Sequence, residues 1–302
     1  METIIMQLFN GLSISSILLI ASLGLAITFG LMGIINMAHG EFIMIGAYTT
    51  YVVQLLFKKF LPSSVYDAYF VVALVVSFIV AALVGLLLEK LIIKRLYGRV
   101  LDSLLVTWGV SLVLQQFARS VFGTSNVSVD APSFLNNNLV ITSSIAFSYK
   151  RLFILVLSVV CTAVVAWLMY KTRQGRNVRA VMQNRNMAAS LGVNTKLIDA
   201  GTFAIGSGIA GIAGCAITLL GPVGSTIGST YIVDTFMSVV VGGVGRIVGC
   251  VVGSFVMGLG GTSFEFFTST SIGKVLILSV VVIILQFRPK GLFTSNSRSL
   301  DD

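Results

Sequence analysis

Leu31-Met-Gly-Ile-Ile-Asn-Met-Ala-His-Gly-Glu41 interrupts a sequence that is oily for about a helix length on both sides. The interruption gathers Gly33, Asn36, Ala38, the single histidine His39, Gly40 and Glu41. An ionised carboxylate at the bilayer centre costs roughly 2.5–3.5 kcal/mol on insertion scales, so such groups face protein or a water-filled path. Broken backbone at membrane depth is tolerated only where it is buried in protein or lines a cavity. The stretch is therefore expected to line a route through a membrane.

Composition agrees. The 302 residues are 56% hydrophobic and only 10% charged, with a mean hydropathy of +0.98; soluble domains carry about 25% charged residues. The apolar runs are helix-length rather than alternating strands, which excludes an outer-membrane barrel. The expected fold is an all-α polytopic bundle of about eight to ten membrane helices with broken or re-entrant segments. A net charge of +9 does not imply nucleic acid, because Lys and Arg cluster beside membrane segments and act there as orientation signals. Cys161, Cys215 and Cys250 lie in apolar runs without metal-ligand spacing and are expected to be small buried side chains. The opening Met-Glu-Thr-Ile-Ile-Met lacks a basic signal-peptide region, so the first span is expected to be retained.

In order, spans are expected at about 11–31, 40–57, 69–93, 101–122, 152–170, 197–220, 248–267 and 272–287, with a short segment at about 230–241. The loop 123–149 is polar and has no Lys or Arg. The link after the third span, the connector 171–196 and the C-terminus are basic, which places them in the cytoplasm by the positive-inside rule. Lys58-Lys59 argue the other way and are outvoted. Nine segments then run from an outside N-terminus to an inside C-terminus, or eight if the short segment is re-entrant. A second interruption, Gly221-Pro-Val-Gly-Ser-Thr-Ile-Gly-Ser229, occupies the matching place in the second half. Interrupted segments at matching positions of inverted halves point to a transport site near the midplane. One domain is expected, with halves 1–122 and 197–290 joined by 123–196.

His39 and Glu41 stand two apart, so they share no helix face, and no chain of buried acids continues a proton path. Together with Asn36 they are expected to brace a broken backbone or line the path rather than relay protons. Ser225, Thr226 and Ser229 are the polar candidates of the second interruption. Asp234 sits mid-segment and needs a partner, either free N–H groups of the break or Arg246. Glu265, near an outer end, reaches toward headgroups. There is no phosphate-binding Gly-x4-Gly-Lys-Ser/Thr loop, and one histidine cannot build a His-based metal cluster. No catalytic set, metal site or cofactor is expected. In the connector, Val178, Val181, Met182, Met187, Ala188 and Leu191 fall at roughly helical spacing before Gly192. This reads as a short amphipathic helix with a glycine stop, and its apolar side wants a partner groove.

The run Ile34-Ile-Asn-Met-Ala-His-Gly-Glu41 with Met44-Ile-Gly-Ala-Tyr48, Arg179-Ala-Val-Met-Gln-Asn-Arg185, Met187-Ala-Ala-Ser-Leu-Gly-Val193, Tyr231-Ile-Val-Asp234, Gly242-Gly-Val-Gly245 and Arg288-Pro-Lys-Gly-Leu-Phe293 resembles the permease subunits of branched-chain amino-acid type ABC importers over nearly the whole chain. Leu96-Tyr-Gly-Arg99, Leu104-Leu-Val-Thr-Trp-Gly109, Leu114-Gln-Gln116, Phe122-Gly123 and Asn126-Val127 look most like the urea and short-chain amide branch. That branch often reads Gly-Asn-Val-Gly-Pro where this chain has Gly221-Pro-Val-Gly-Ser225.

The resemblance implies an inner-membrane subunit paired with a second homologous permease, two cytoplasmic ATP-binding subunits and a periplasmic substrate-binding protein, embedded in membrane lipid. It implies no enzyme activity of its own, ATP being hydrolysed by the partners. It also makes Gln183, Asn184, Arg185, Met187, Ala188, Ala189, Leu191 and Gly192 the coupling region that docks into an ATPase. Two departures from the usual loop stand out: its glutamate is missing, and the spacing to Gly192 is one residue shorter. Urea is the expected substrate, with branched-chain or other amino acids as the alternative; a proton-coupled transporter or a channel are readings of a different class.

Overall fold

The computed structural model describes residues 2–60, 62–97, 99–142, 145–289 and 291–293. Its helices are α1 (Glu2–Met32), α2 (His39–Phe60), α3 (Tyr69–Leu91), α4 (Val100–Phe122), α5 (Tyr149–Lys171), α6 (Arg173–Gln183), α7 (Arg185–Ser190), α8 (Thr195–Ile217), α9 (Ile227–Gly242), α10 (Ile247–Phe267) and α11 (Thr270–Phe287). Among the described residues, eight helices are long and apolar enough to cross a membrane, and α9 is a shorter apolar one. The chain is an all-α polytopic bundle, as its hydropathy requires. Two differences from the sequence expectation are local. Helix α1 starts at Glu2, well before residue 11. The loop after α4 carries a small antiparallel hairpin, β1 (Asn138–Thr142) and β2 (Ile145–Ser148).

Helix α8 lies at the centre of the bundle and is buried along most of its length. Its glycines explain why. In lipid, helices gain little from hydrophobic transfer, so close packing decides association and small residues permit it. A Cβ on Gly206 would lie 2.7 Å from the Gly24 carbonyl, and one on Gly24 would lie 2.3 Å from the Gly206 carbonyl, so α1 and α8 touch backbone to backbone. Gly46 of α2 meets Gly211, and Gly211 also meets Ser77 of α3. On the other side, α10 packs antiparallel on α1: Gly11 faces Thr262, Gly258 faces Ser15, and the Ser22 and Ser254 hydroxyls are 2.8 Å apart. Thus α3 covers α8, and α10 covers α1.

The two interruptions shape the middle. Helix α1 ends at Met32, and 33–38 is non-helical, with Gly33 at φ +60°. The chain then doubles back. The His39 ring at the start of α2 lies 3.2 Å from the Ala21 carbonyl, about 16 Å back along α1 from Met32 at 1.5 Å per residue. So α2 starts inside the bundle rather than at its surface. In the second half, α8 ends at Ile217 and α9 starts at Ile227. The link between them is held by paired hydrogen bonds of 2.9 and 2.8 Å between Val127 and Val223. The starts of α2 and α9 meet. A Cβ on Gly40 would sit 2.5 Å from the Gly228 carbonyl, and one on Gly228 would sit 2.4 Å from that of Gly40. Only glycine allows this approach.

Candidate functional site

The meeting helix ends are where the sequence candidates converge, and the agent that gathers them is α4. Ser103, Thr107, Ser111, Gln115 and Arg119 follow one another every four residues. They form a polar stripe on one face of α4, and the first four are buried. The other faces carry Leu101, Leu105, Trp108, Val113, Phe117 and Val121, all exposed.

Glu41, 1% exposed, accepts hydrogen bonds at Oε1 from the Ser111 hydroxyl (2.7 Å) and the Gln115 amide (2.8 Å). The same amide donates to the Ser229 hydroxyl at 2.8 Å, and Arg119 Nε donates to Ser225 Oγ at 3.0 Å. The stripe therefore ties the first interruption to the second. Nearer the other end of α4, the Met37 N–H donates to the Thr107 hydroxyl at 3.1 Å, and that hydroxyl donates to the Ser103 carbonyl at 2.7 Å. Asn36 Oδ1 accepts from the Ala38 N–H at 3.1 Å, which holds the turn into α2. Buried backbone without such partners would cost the desolvation of each group.

Asn36, His39 and Glu41 are buried in the bundle, 4%, 0% and 1% exposed. His39 points to α1 and Glu41 to α4, the divergence that two-residue spacing on a helix requires. Asn36 Nδ2, His39 Nδ1 and Glu41 Oε2 have no hydrogen-bond partner among the described residues. Ser225 is buried, whereas Thr226 and Ser229 are exposed. Thr226 contributes its backbone, the carbonyl accepting from the Thr230 N–H at 3.3 Å. Asp234 is half-buried, but its neighbour is neither Arg246 nor the N–H groups of the break. It lines, together with Lys274 of α11, a cavity of about 390 Å³ that Ser229, Met237 and Met257 also border. Helices α9 and α11 both pack chiefly on α10 and touch each other only lightly, while Arg246 sits beyond the far end of α9 at the start of α10. Sequence inspection missed Ser111, Gln115, Arg119 and Lys274. The four-residue polar repeat through an otherwise lipid-facing helix was the available signal for the first three. For Lys274 there was none, since a lysine near a helix end is ordinary.

The connector is two helices rather than one. Asn184 breaks it, capping α7 through Oδ1 with the Met187 N–H at 2.9 Å. The break turns Ala188 inward, 3% exposed, against Val178 and Val181. Ala188 therefore belongs to the loop's own core and presents nothing to a partner. Met187 and Leu191 point outward, 61% and 78% exposed, and Gln183, Asn184, Ala189 and Gly192 are exposed with them. Gly192, at φ +85°, makes the left-handed stop. Arg185 clamps α7 to the bundle: its guanidinium pairs through both nitrogens with the buried Asp199 carboxylate and lies 4.7 Å from the Tyr97 ring centre. Burial and the nearby Asp199 and Glu89 carboxylates push the Tyr97 phenol well above its ordinary pKa, so it stays a neutral donor, to Glu89 Oε1 at 3.2 Å.

Comparison with known proteins fits this architecture. The family model described as branched-chain amino acid transport system / permease component matches residues 7–285. The chain is 27% identical over 295 residues to the high-affinity branched-chain amino acid transport system permease protein LivH of Salmonella typhimurium, covering 95% of this chain and 94% of that one. It is 28% identical over 296 residues to BraD of Pseudomonas aeruginosa, again covering 95% and 94%. A probable LivH of Methanocaldococcus jannaschii is 25% identical over 292 residues, covering 92% and 89%. No solved structure matches. With the match spanning nearly the whole chain, this protein belongs to the family of branched-chain amino acid transport system permease components.

Proposed function

We propose that this chain is one membrane-spanning permease subunit of an ATP-driven inner-membrane importer of branched-chain or other amino acids. A second homologous permease, two ATP-binding subunits and a substrate-binding protein complete the importer. The observation that carries this is the family match over 7–285, with relatives named as branched-chain amino acid permeases aligned end to end. The geometry is of the right kind. Two helix starts placed inside the bundle turn their positive dipole ends on one region. Around them we read α1–α4 and α8–α11 as inverted halves, a reading supported by the matching contacts in which α1 crosses α8, α2 meets α9, α3 covers α8 and α10 covers α1. Asn36, His39 and Glu41 act as struts of the first break, while Ser225, Thr226, Ser229 and Asp234 border the path. ATPase docking falls to Met187 and Leu191, flanked by Gln183, Asn184, Ala189 and Gly192, with Arg185 and Ala188 holding the helix from within. The C-terminus shares the cytoplasmic side with this loop.

Urea is the second reading, and one observation favours it. The stretches that look like the urea branch, Leu104–Gly109 and Leu114–Gln116, supply Thr107 and Gln115, the neutral hydrogen-bonding groups that reach both breaks. The assembled complex decides between them. Binding protein loaded with leucine, isoleucine or valine is expected to stimulate ATP hydrolysis; stimulation by urea-loaded protein alone transfers the assignment to urea.

A further inference from the structure

The cavity between α9, α10 and α11 contains an electrostatic oddity. Asp234 and Lys274 both line it, yet they form no ion pair within 4 Å, although Arg185–Asp199 and Lys58–Asp130 do. In a low-dielectric setting opposite charges attract strongly, and a membrane acid ordinarily closes on a partner. No side-chain hydrogen bond to the Asp234 carboxylate occurs among the described residues; only its backbone carbonyl is engaged, by Ser238 Oγ at 2.8 Å. The cleft that both charges line holds about 390 Å³. Ser229 and Thr230, in the first turn of α9, put hydroxyls and a helix start on its rim. Val233, Met237, Met257, Ile277 and Leu278 supply an aliphatic wall.

We propose that this cleft is a binding site for a zwitterionic aliphatic amino acid on the translocation path. Asp234 receives the ammonium group, Lys274 and the start of α9 receive the carboxylate, and the Met257–Ile277 wall receives the side chain. The two charges are held apart because the ligand completes the pair. The site opens beside Ser229, which Gln115 ties to Glu41, so an occupant communicates with both helix starts. The assignment rests on the amino-acid reading above and narrows it to a site.

The test uses the whole complex in liposomes, with uptake of labelled leucine and of labelled urea. Lys274→Met and Asp234→Asn are each expected to cut leucine uptake by on the order of tenfold to a hundredfold, the low end of what truncating one partner of a charge contact costs, because Lys274 is exposed and Asp234 only half-buried. Lys274 is exposed, so Lys274→Met assembles normally, checked by the thermal midpoint of the complex. The double variant separates binding from scaffolding. A structural charge pair recovers when both charges are removed, whereas a ligand site stays defective. Leucine uptake within about twofold of wild type in Lys274→Met, or recovery in the double variant, overturns the cleft. A wild-type complex that carries urea and no amino acid overturns the amino-acid reading instead, and the cleft with it.

Discussion

Adding one methyl group where α2 meets α9 is the sharpest perturbation the fold offers. A Cβ at position 40 falls 2.5 Å from the Gly228 carbonyl oxygen and 2.9 Å from its carbon; at position 228 it falls 2.4 Å from the Gly40 oxygen. Both obstacles are backbone, so neither is relieved by a rotamer change. Forcing an extra carbon into a packed contact costs about 1–3 kcal/mol. Gly40→Ala and Gly228→Ala are each expected to lose that amount, less the ~0.5–1 kcal/mol a helix gains from Gly to Ala. Because one separation of the helices relieves both clashes, the double variant is expected to lose clearly less than the sum of the singles. Gly109→Ala in α4 is the control: nothing lies within 4 Å of its Cβ, so only the propensity gain remains. Unfolding of the purified protein in mixed micelles reads all four. Equal stability of Gly40→Ala and Gly109→Ala, or full additivity of the pair, would refute the contact.

Four further outcomes follow from the site and the connector. Glu41→Ala removes the shared acceptor of two buried donors, Ser111 and Gln115, and is expected to destabilise by about 1–3 kcal/mol; a Gln115→Ala background should absorb part of that loss. Leu191→Asp, at an exposed position, is expected to leave folding intact and weaken ATPase docking by about 1.5–3 kcal/mol, roughly tenfold or more in coupled uptake. Ala188→Glu instead buries a charge against Val178 and Val181, so loss of thermal stability and of assembly is its signature. Asp199→Asn breaks the clamp on Arg185. With Asp199 buried and the Arg185 side chain 38% exposed, the loss is expected at about 1–3 kcal/mol, below the 3–5 of a fully buried pair, and protease cleavage in 171–196 should speed up.

Much of this protein was legible before folding was considered. Apart from the start of α1, apolar runs of helix length place the spans within a few residues of where they lie, because lipid requires internally bonded backbone. The two interruptions announced themselves because glycine, amides and a carboxylate have no reason to face lipid. The extra turns at the start of α1 were not marked, since Glu2 to Asn10 mixes polar and apolar residues. The connector's break was masked too: its apolar spacing continues across Asn184, and only the cap geometry shows two helices.

What the sequence determined by itself is the kind of molecule: a helical membrane bundle with two broken segments and a basic connector. Those follow from local properties, namely hydropathy, spacing and residue chemistry. What only the tertiary structure decided is who meets whom. That α2 turns back into the bundle, that Gly40 and Gly228 touch, that Gln115 joins Glu41 to Ser229, and that Asp234 shares a cavity with Lys274 instead of Arg246 are relations between residues 18 to 188 apart. They depend on which helix faces allow close approach, and no periodicity along a single helix encodes its partner.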